Sequence, residues 1–97
     1  MNNPDVLAAL KGVTDPEIGL NIVDLGLVYR AEHAPEGIEV TLTLSTRSCP
    51  LSEMIVEEVR EALRANFADA PAIKVELVWD PPWTPDRMSE AARRLLG

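Results

Sequence analysis

Cys49 is the only cysteine of the chain, and Pro50 follows it directly. Upstream lies the alternating run Val40-Thr41-Leu42-Thr43-Leu44-Ser45, and downstream a long stretch of helical periodicity, so a strand is expected to hand over to a helix at this thiol. The first N–H groups of a helix have no intrahelical partners, and the positive end of its dipole favours an anion. Thiolate is favoured in such a place, and thiolate is the form that attacks electrophiles or binds metal. A buried, inert thiol is the competing reading, because free cysteine is among the most buried residue types. Local pattern alone leaves both open.

The other residues narrow what such a thiol could do. A cysteine hydrolase needs a histidine base beside the nucleophile, and the single His33 is expected at the far end of the strand, beside a Pro-Glu-Gly turn and solvated there. Zinc, or an iron-sulfur cluster held by one subunit, needs about four ligands, which one cysteine and one histidine do not supply. A labile cluster bridged by Cys49 of two subunits, with small thiols completing the coordination, remains compatible with the composition. Arg47 could support a thiolate or stand as a solvated loop charge. Asp15 and Glu17, in Thr14-Asp15-Pro16-Glu17, have capping-box spacing and read locally as turn formers. Trp83, set among prolines in Asp80-Pro81-Pro82-Trp83, reads as a packed aromatic.

Composition sets the frame. At 97 residues, 46% hydrophobic and 26% charged, the chain is expected to be one folded domain over 1–97. A net charge of -7 argues against a nucleic-acid partner, which calls for a basic patch. A KH-like nucleic-acid module shares the small α/β plan but ranks last for that reason. A lone cysteine forms no internal disulfide, and neither a signal segment nor a membrane-length apolar run is visible. The expected location is the cytoplasm, without a membrane partner.

The elements that must position these residues follow from periodicity. Asn3 caps a short first helix with Pro4 at its start and Gly12 as its stop. A structured loop follows, with Asp24 bonding within its own turn ahead of Gly26. Strands are expected at Leu25–Ala31 and Ile38–Ser45, joined by the turn Ala34–Gly37 and paired antiparallel. On the second, Val40, Leu42 and Leu44 face the core while Glu39, Thr41, Thr43 and Ser45 face away. Leu51, Met54, Ile55, Val59, Ala62, Leu63 and Phe67 define the apolar face of a long helix. A third strand over Ile73–Trp79 is expected to run parallel to the second through a right-handed crossover. Pro81 and Pro82 end the sheet, and Thr84 caps a last helix with Met88, Ala91, Ala92 and Leu95 along one side. The expected fold is a two-layer α+β sandwich of order α-β-β-α-β-α, with a small three-stranded mixed sheet covered by helices mainly on one face. Parallel second and third strands bring Cys49 and Trp83 to the same sheet edge, where α/β sites form.

The runs Asp15-Pro16-Glu17-Ile18-Gly19-Leu20-Asn21-Ile22-Val23-Asp24-Leu25-Gly26-Leu27-Val28-Tyr29, Cys49-Pro50-Leu51 and Asp80-Pro81-Pro82-Trp83-Thr84-Pro85-Asp86-Arg87-Met88-Ser89, taken in order, closely resemble the metal-sulfur cluster assembly factor family. That family includes SufT-type and PaaD-type proteins and a eukaryotic cytosolic iron-sulfur targeting factor. The resemblance covers nearly the whole chain and implies a carrier or targeting adaptor in iron-sulfur protein maturation rather than a turnover enzyme. By motif position it implies that Cys49 is the reactive cysteine and a transient ligand of a labile iron-sulfur cluster. Asp15, Glu17 and Thr46 are implied as polar members of the same surface, and Trp83 completes the expected surface. No cofactor is expected to be stably bound. The implied partners are the iron-sulfur assembly machinery and recipient apoproteins, with homodimerisation through the cysteine edge left open. The family's usual Pro-Gly before the cysteine is replaced here by Arg47-Ser48. The extra C-terminal cysteines of PaaD-type relatives are absent, which favours the short SufT-like group over a factor serving a phenylacetyl-CoA oxygenase. A metal-free adaptor and a thiol-dependent enzyme are the alternatives.

Overall fold

The computed structural model describes residues 3–16, 18–44 and 52–96. Helix α1 (Pro4–Leu10) starts because the Asn3 side chain accepts from the backbone N–H groups of Asp5 and Val6, at 2.9 and 3.1 Å, with Pro4 at the position that needs no donor. It buries Val6 and Leu10.

Strands β1 (Val28–Ala34) and β2 (Gly37–Leu42) pair antiparallel, with Ala34 opposite Gly37 across Pro35-Glu36. Strand β3 (Ile73–Leu77) lies parallel to β2, giving the order β1-β2-β3 and the expected mixed sheet. Helix α2 (Ser52–Asn66) makes the crossover, packing on β3 and on α1, while α1 also packs on β1. The core therefore lies between one sheet face and these two helices, and it includes Val40, Leu42, Ile55, Val59 and Leu63. Each such side chain contributes roughly 1.5–3 kcal/mol by burial.

Several boundaries differ from the periodic expectation. β1 begins at Val28 rather than Leu25, because Leu25, Gly26 and Leu27 donate to the carbonyls of Asn21, Val23 and Ile22 in successive turns. Leu25 and Leu27 are fully buried all the same, so a tight loop mimics a strand's alternation. His33 is not in a loop. It lies near the end of β1, exposed, with its ring edge-on to Phe67 at 5.2 Å between centroids. β2 stops at Leu42, and Thr43, expected on the polar face, is buried at 1% exposure. Ser45 lies outside the described residues.

On α2 the buried stripe is Ile55, Val59 and Leu63, whereas Met54 is 42% exposed. Ala62 and, just past the helix, Phe67 pack against the core beside that stripe, while Met54 lies off it. β3 ends at Leu77, and the N–H of Val78 makes the last bond to β2, on the Leu42 carbonyl. The expected last helix is split into a 3₁₀ turn, Pro85–Arg87, and helix α3 (Glu90–Leu96). Met88 is extended there, and the Ser89 N–H donates to the Asp24 carbonyl instead of continuing the helix. The Ser89 hydroxyl, not Thr84, makes the cap bond, from the Ala92 N–H. Ala92 is buried but Leu95 is 72% exposed, so the expected apolar side is only partly covered. Among the described residues, no helix is long and apolar enough to cross a membrane.

Candidate functional site

Three connecting segments meet the sheet at one edge. The loop 12–27 arrives there, since Val28 pairs with Leu42 and the Thr43 N–H donates to the Leu27 carbonyl at 2.8 Å. The chain leaves β2 at the same edge toward Thr46 and Cys49. Because β3 is parallel to β2, the segment carrying Trp83 departs from that edge as well. Thr46 and Cys49, with Glu17 of the first loop, lie outside the described residues.

The first loop is closed by backbone bonds. Thr14 bridges Asn21, the Asp15 N–H donates to Leu20, and Gly19, at φ +86°, donates to Asp15. Asp15 itself is 3% exposed, while its neighbours Thr14 and Pro16 are exposed. Its carboxyl thus lies beneath the surface of the loop. Thr14 and Pro16 line an open groove against Glu58, Glu61, Ala62 and Asn66 of α2. At the other end of the loop, Asn21 donates from Nδ2 to the Asp24 carboxylate at 2.7 Å, and the Asp24 N–H donates to Asn21 Oδ1 at 2.9 Å. This turn holds the Asp24 carboxyl below its ordinary range, mainly through the Asn21 bond and against a smaller opposing effect of burial.

The C-terminal segment is clasped onto that loop. The Trp83 indole donates from Nε1 to the Leu25 carbonyl at 2.7 Å, and the Tyr29 hydroxyl donates to the Pro81 carbonyl at 2.7 Å. The Arg87 guanidinium sits 4.7 Å from the Tyr29 ring centroid, a favourable cation–π placement. Gly26 has φ +77°, and a Cβ there would run into the Arg87 carbonyl. Trp83 is therefore a half-buried anchor, while Pro81, Pro82 and Thr84 around it are exposed. Asp15 belongs to the bridged end of loop 12–27, and Trp83 docks at its Leu25 end.

Sequence reasoning missed three contributors: Tyr29, Gly26 and Thr43. Among the described residues, the Thr43 hydroxyl is buried with no hydrogen-bond partner, just past the end of β2. A buried orphan of that kind is uncommon in native proteins. Its signal was hidden, because an alternating Thr in a strand reads as an outward residue. Among the described residues, no three His, Cys, Asp or Glu side chains converge in a way that could hold a metal ion.

Residues 3–76 match the profile of a family described as iron-sulfur cluster assembly protein. The chain is 45% identical to the Fe-S protein maturation auxiliary factor YitW of Bacillus subtilis (strain 168), over 96% of this chain and 91% of that one. It is 42% identical to the Fe-S protein maturation auxiliary factor SufT of Staphylococcus aureus (strain USA300), over 88% and 97% of the two chains. A solved structure from Bacillus anthracis, described as a domain of unknown function, DUF59, superposes with a TM-score of 0.90 at 39% identity. It covers 95% of this chain and 88% of that one.

Proposed function

The chain belongs to the iron-sulfur cluster assembly protein family, and from that premise we propose that it is an accessory factor in iron-sulfur protein maturation. It carries a cluster, or targets the machinery that carries one, to recipient apoproteins. The cluster is cargo rather than a resident cofactor, and no turnover chemistry is assigned to the chain. Cys49 is the proposed transient ligand or protein-contact thiol, working in the reducing cytoplasm. Asp15, Glu17, Thr46 and Trp83 complete the proposed surface, with Asp15 acting from beneath it. The observation that carries this reading is the family match over residues 3–76 to relatives named for maturation. The arrival of the 12–27 loop at the sheet edge from which the chain leaves β2 and β3 supports it.

Anaerobic reconstitution of wild type and Cys49→Ser, followed by transfer to an apoprotein, tests the assignment. Wild type is expected to transfer and C49S to fail. Equal transfer by both removes the thiol from the mechanism. A metal-free adaptor, whose loops around Asp15, Cys49 and Trp83 contact a partner protein, is the second reading. It is supported if metal-free protein recovers assembly components or apoproteins from a reducing extract and C49S does so equally well.

A further inference from the structure

Among the described residues, no strand pairs with the outer edge of β3. In the parallel β2–β3 ladder, the Ile38 N–H donates to the Ala72 carbonyl and the Val78 N–H to the Leu42 carbonyl, at 2.9 and 2.8 Å. Even-numbered residues of β3 thus turn their backbone groups toward β2. The groups of Ile73, Val75 and Leu77 point to the opposite edge, where β3 is the last strand of the sheet. Unpaired edges of this kind are templates for another chain.

The side chains select the occupant. Ile73, Val75 and Leu77 lie half-buried toward the core, while Lys74 and Glu76 are exposed on the open face. Among the described residues, neither Lys74 nor Glu76 takes part in an ion pair within the chain. Turned antiparallel about Val75, a second β3 sets Ile73 opposite Leu77, Val75 opposite Val75 and Lys74 opposite Glu76. The three apolar pairs are then the hydrogen-bonded ones, each exchanging the outward N–H and C=O groups. The Lys–Glu pairs fall at the non-hydrogen-bonded positions, where side chains approach most closely. The backbone parity and the charge pattern therefore demand the same register. Beside Leu77 an open groove of about 310 Å³, lined by Ser52, Glu53, Val56, Glu57 and Arg60, borders the position that the partner's Ile73 would take.

We propose that β3 is a self-association edge: two copies of this chain join antiparallel through Ile73–Leu77, Lys74 against Glu76 of the partner subunit, into one continuous six-stranded sheet. The contact is short, which places it in the weak class that buries less than about 1,200 Å² in total. It stands independently of the maturation reading. The pairing points the C-terminal ends of the two β2 strands in opposite directions, so it is a different association from one through the cysteine edge.

Sedimentation of the full chain, followed up to about 1 mM because weak contacts dissociate near that range, tests the proposal. Wild type is expected to dimerise reversibly. K74E and E76K, each placing like charges opposite one another, are expected to weaken association by about ten-fold or more. Circular dichroism verifies that both exposed substitutions leave the fold intact. An equimolar mixture of K74E with E76K restores both attractive pairs, so a two-chain species with wild-type affinity is expected only on mixing. A wild type that stays monomeric throughout, a dimer indifferent to K74E, or variants that do not complement each other would overturn it.

Discussion

The Trp83 indole N–H and the Leu25 carbonyl, 58 positions apart in the chain, meet at 2.7 Å. This bond fastens the C-terminal segment to the loop that precedes β1. Leu25 is fully buried, so its carbonyl has no ready solvent substitute. W83F keeps an aromatic ring but leaves that acceptor unpaired, and it is expected to cost about 1–3 kcal/mol. Urea unfolding should show the midpoint fall with the slope unchanged. A midpoint equal to wild type would mean that the indole contributes only its ring.

Gly26 is the second fastening point. Its φ of +77° and the Arg87 carbonyl beside it leave no room for a Cβ. An alanine in that backbone region costs roughly 1–2 kcal/mol before any contact is counted. G26A is expected to lift the Arg87 segment off the loop. Amide exchange at Ser89, whose N–H donates to the Asp24 carbonyl, should accelerate, whereas exchange at Asn3, which donates to Ala31, stays slow. Equal protection of Ser89 in variant and wild type would refute the docking role.

These two fastenings also show where the sequence was readable. The α-β-β-α-β-α order, the turn before Gly37 and the parallel β3 followed from periodicity and prolines, because those signals are local. Leu25 and Leu27 misled the strand boundary, since a tight loop buried against a core can alternate as a strand does. That the chain leaves β2 and β3 at a common edge rested on topology and needed only the β2–β3 direction, while Cys49 itself lies outside the described residues. The Trp83–Leu25 bond, the Gly26–Arg87 approach and the burial of Thr43 are long-range facts, so spacing held no trace of them. The roles of Glu17 and Thr46 rested on motif resemblance rather than on any physical periodicity, whereas Cys49 was marked first by the expected strand-to-helix handover and then by the resemblance.

Thr43 gives a prediction of opposite sign. Its hydroxyl is buried and has no partner among the described residues, while its N–H is committed to the Leu27 carbonyl. T43V keeps the branched shape and that backbone bond but removes the orphaned oxygen. A buried polar group without a partner costs about 1–3 kcal/mol, so T43V is expected to stabilise the fold by about 1 kcal/mol. Thermal or urea denaturation reads this directly, and a less stable variant would show that the hydroxyl is satisfied in solution.

Asp24 sets an acid limit on the same loop. Its carboxyl is held below the ordinary value of 3.8, first by the Asn21 side-chain bond, with burial opposing and with Ser89 and Lys11 assisting. A carboxyl depressed in the folded state stabilises the fold at pH above its unfolded value. That contribution is lost as pH falls from about 3.8 through the folded value. The group is partly solvated, so screening keeps the effect modest. Removing the amide in N21A takes away the largest cause, and the Asp24 midpoint in an NMR titration should move up toward its ordinary value. The stability difference between N21A and wild type should narrow below that pH, because protonation of Asp24 weakens the charge-assisted bond that only the wild type makes. An Asp24 midpoint unmoved by N21A would assign the depression to Ser89 and Lys11 instead.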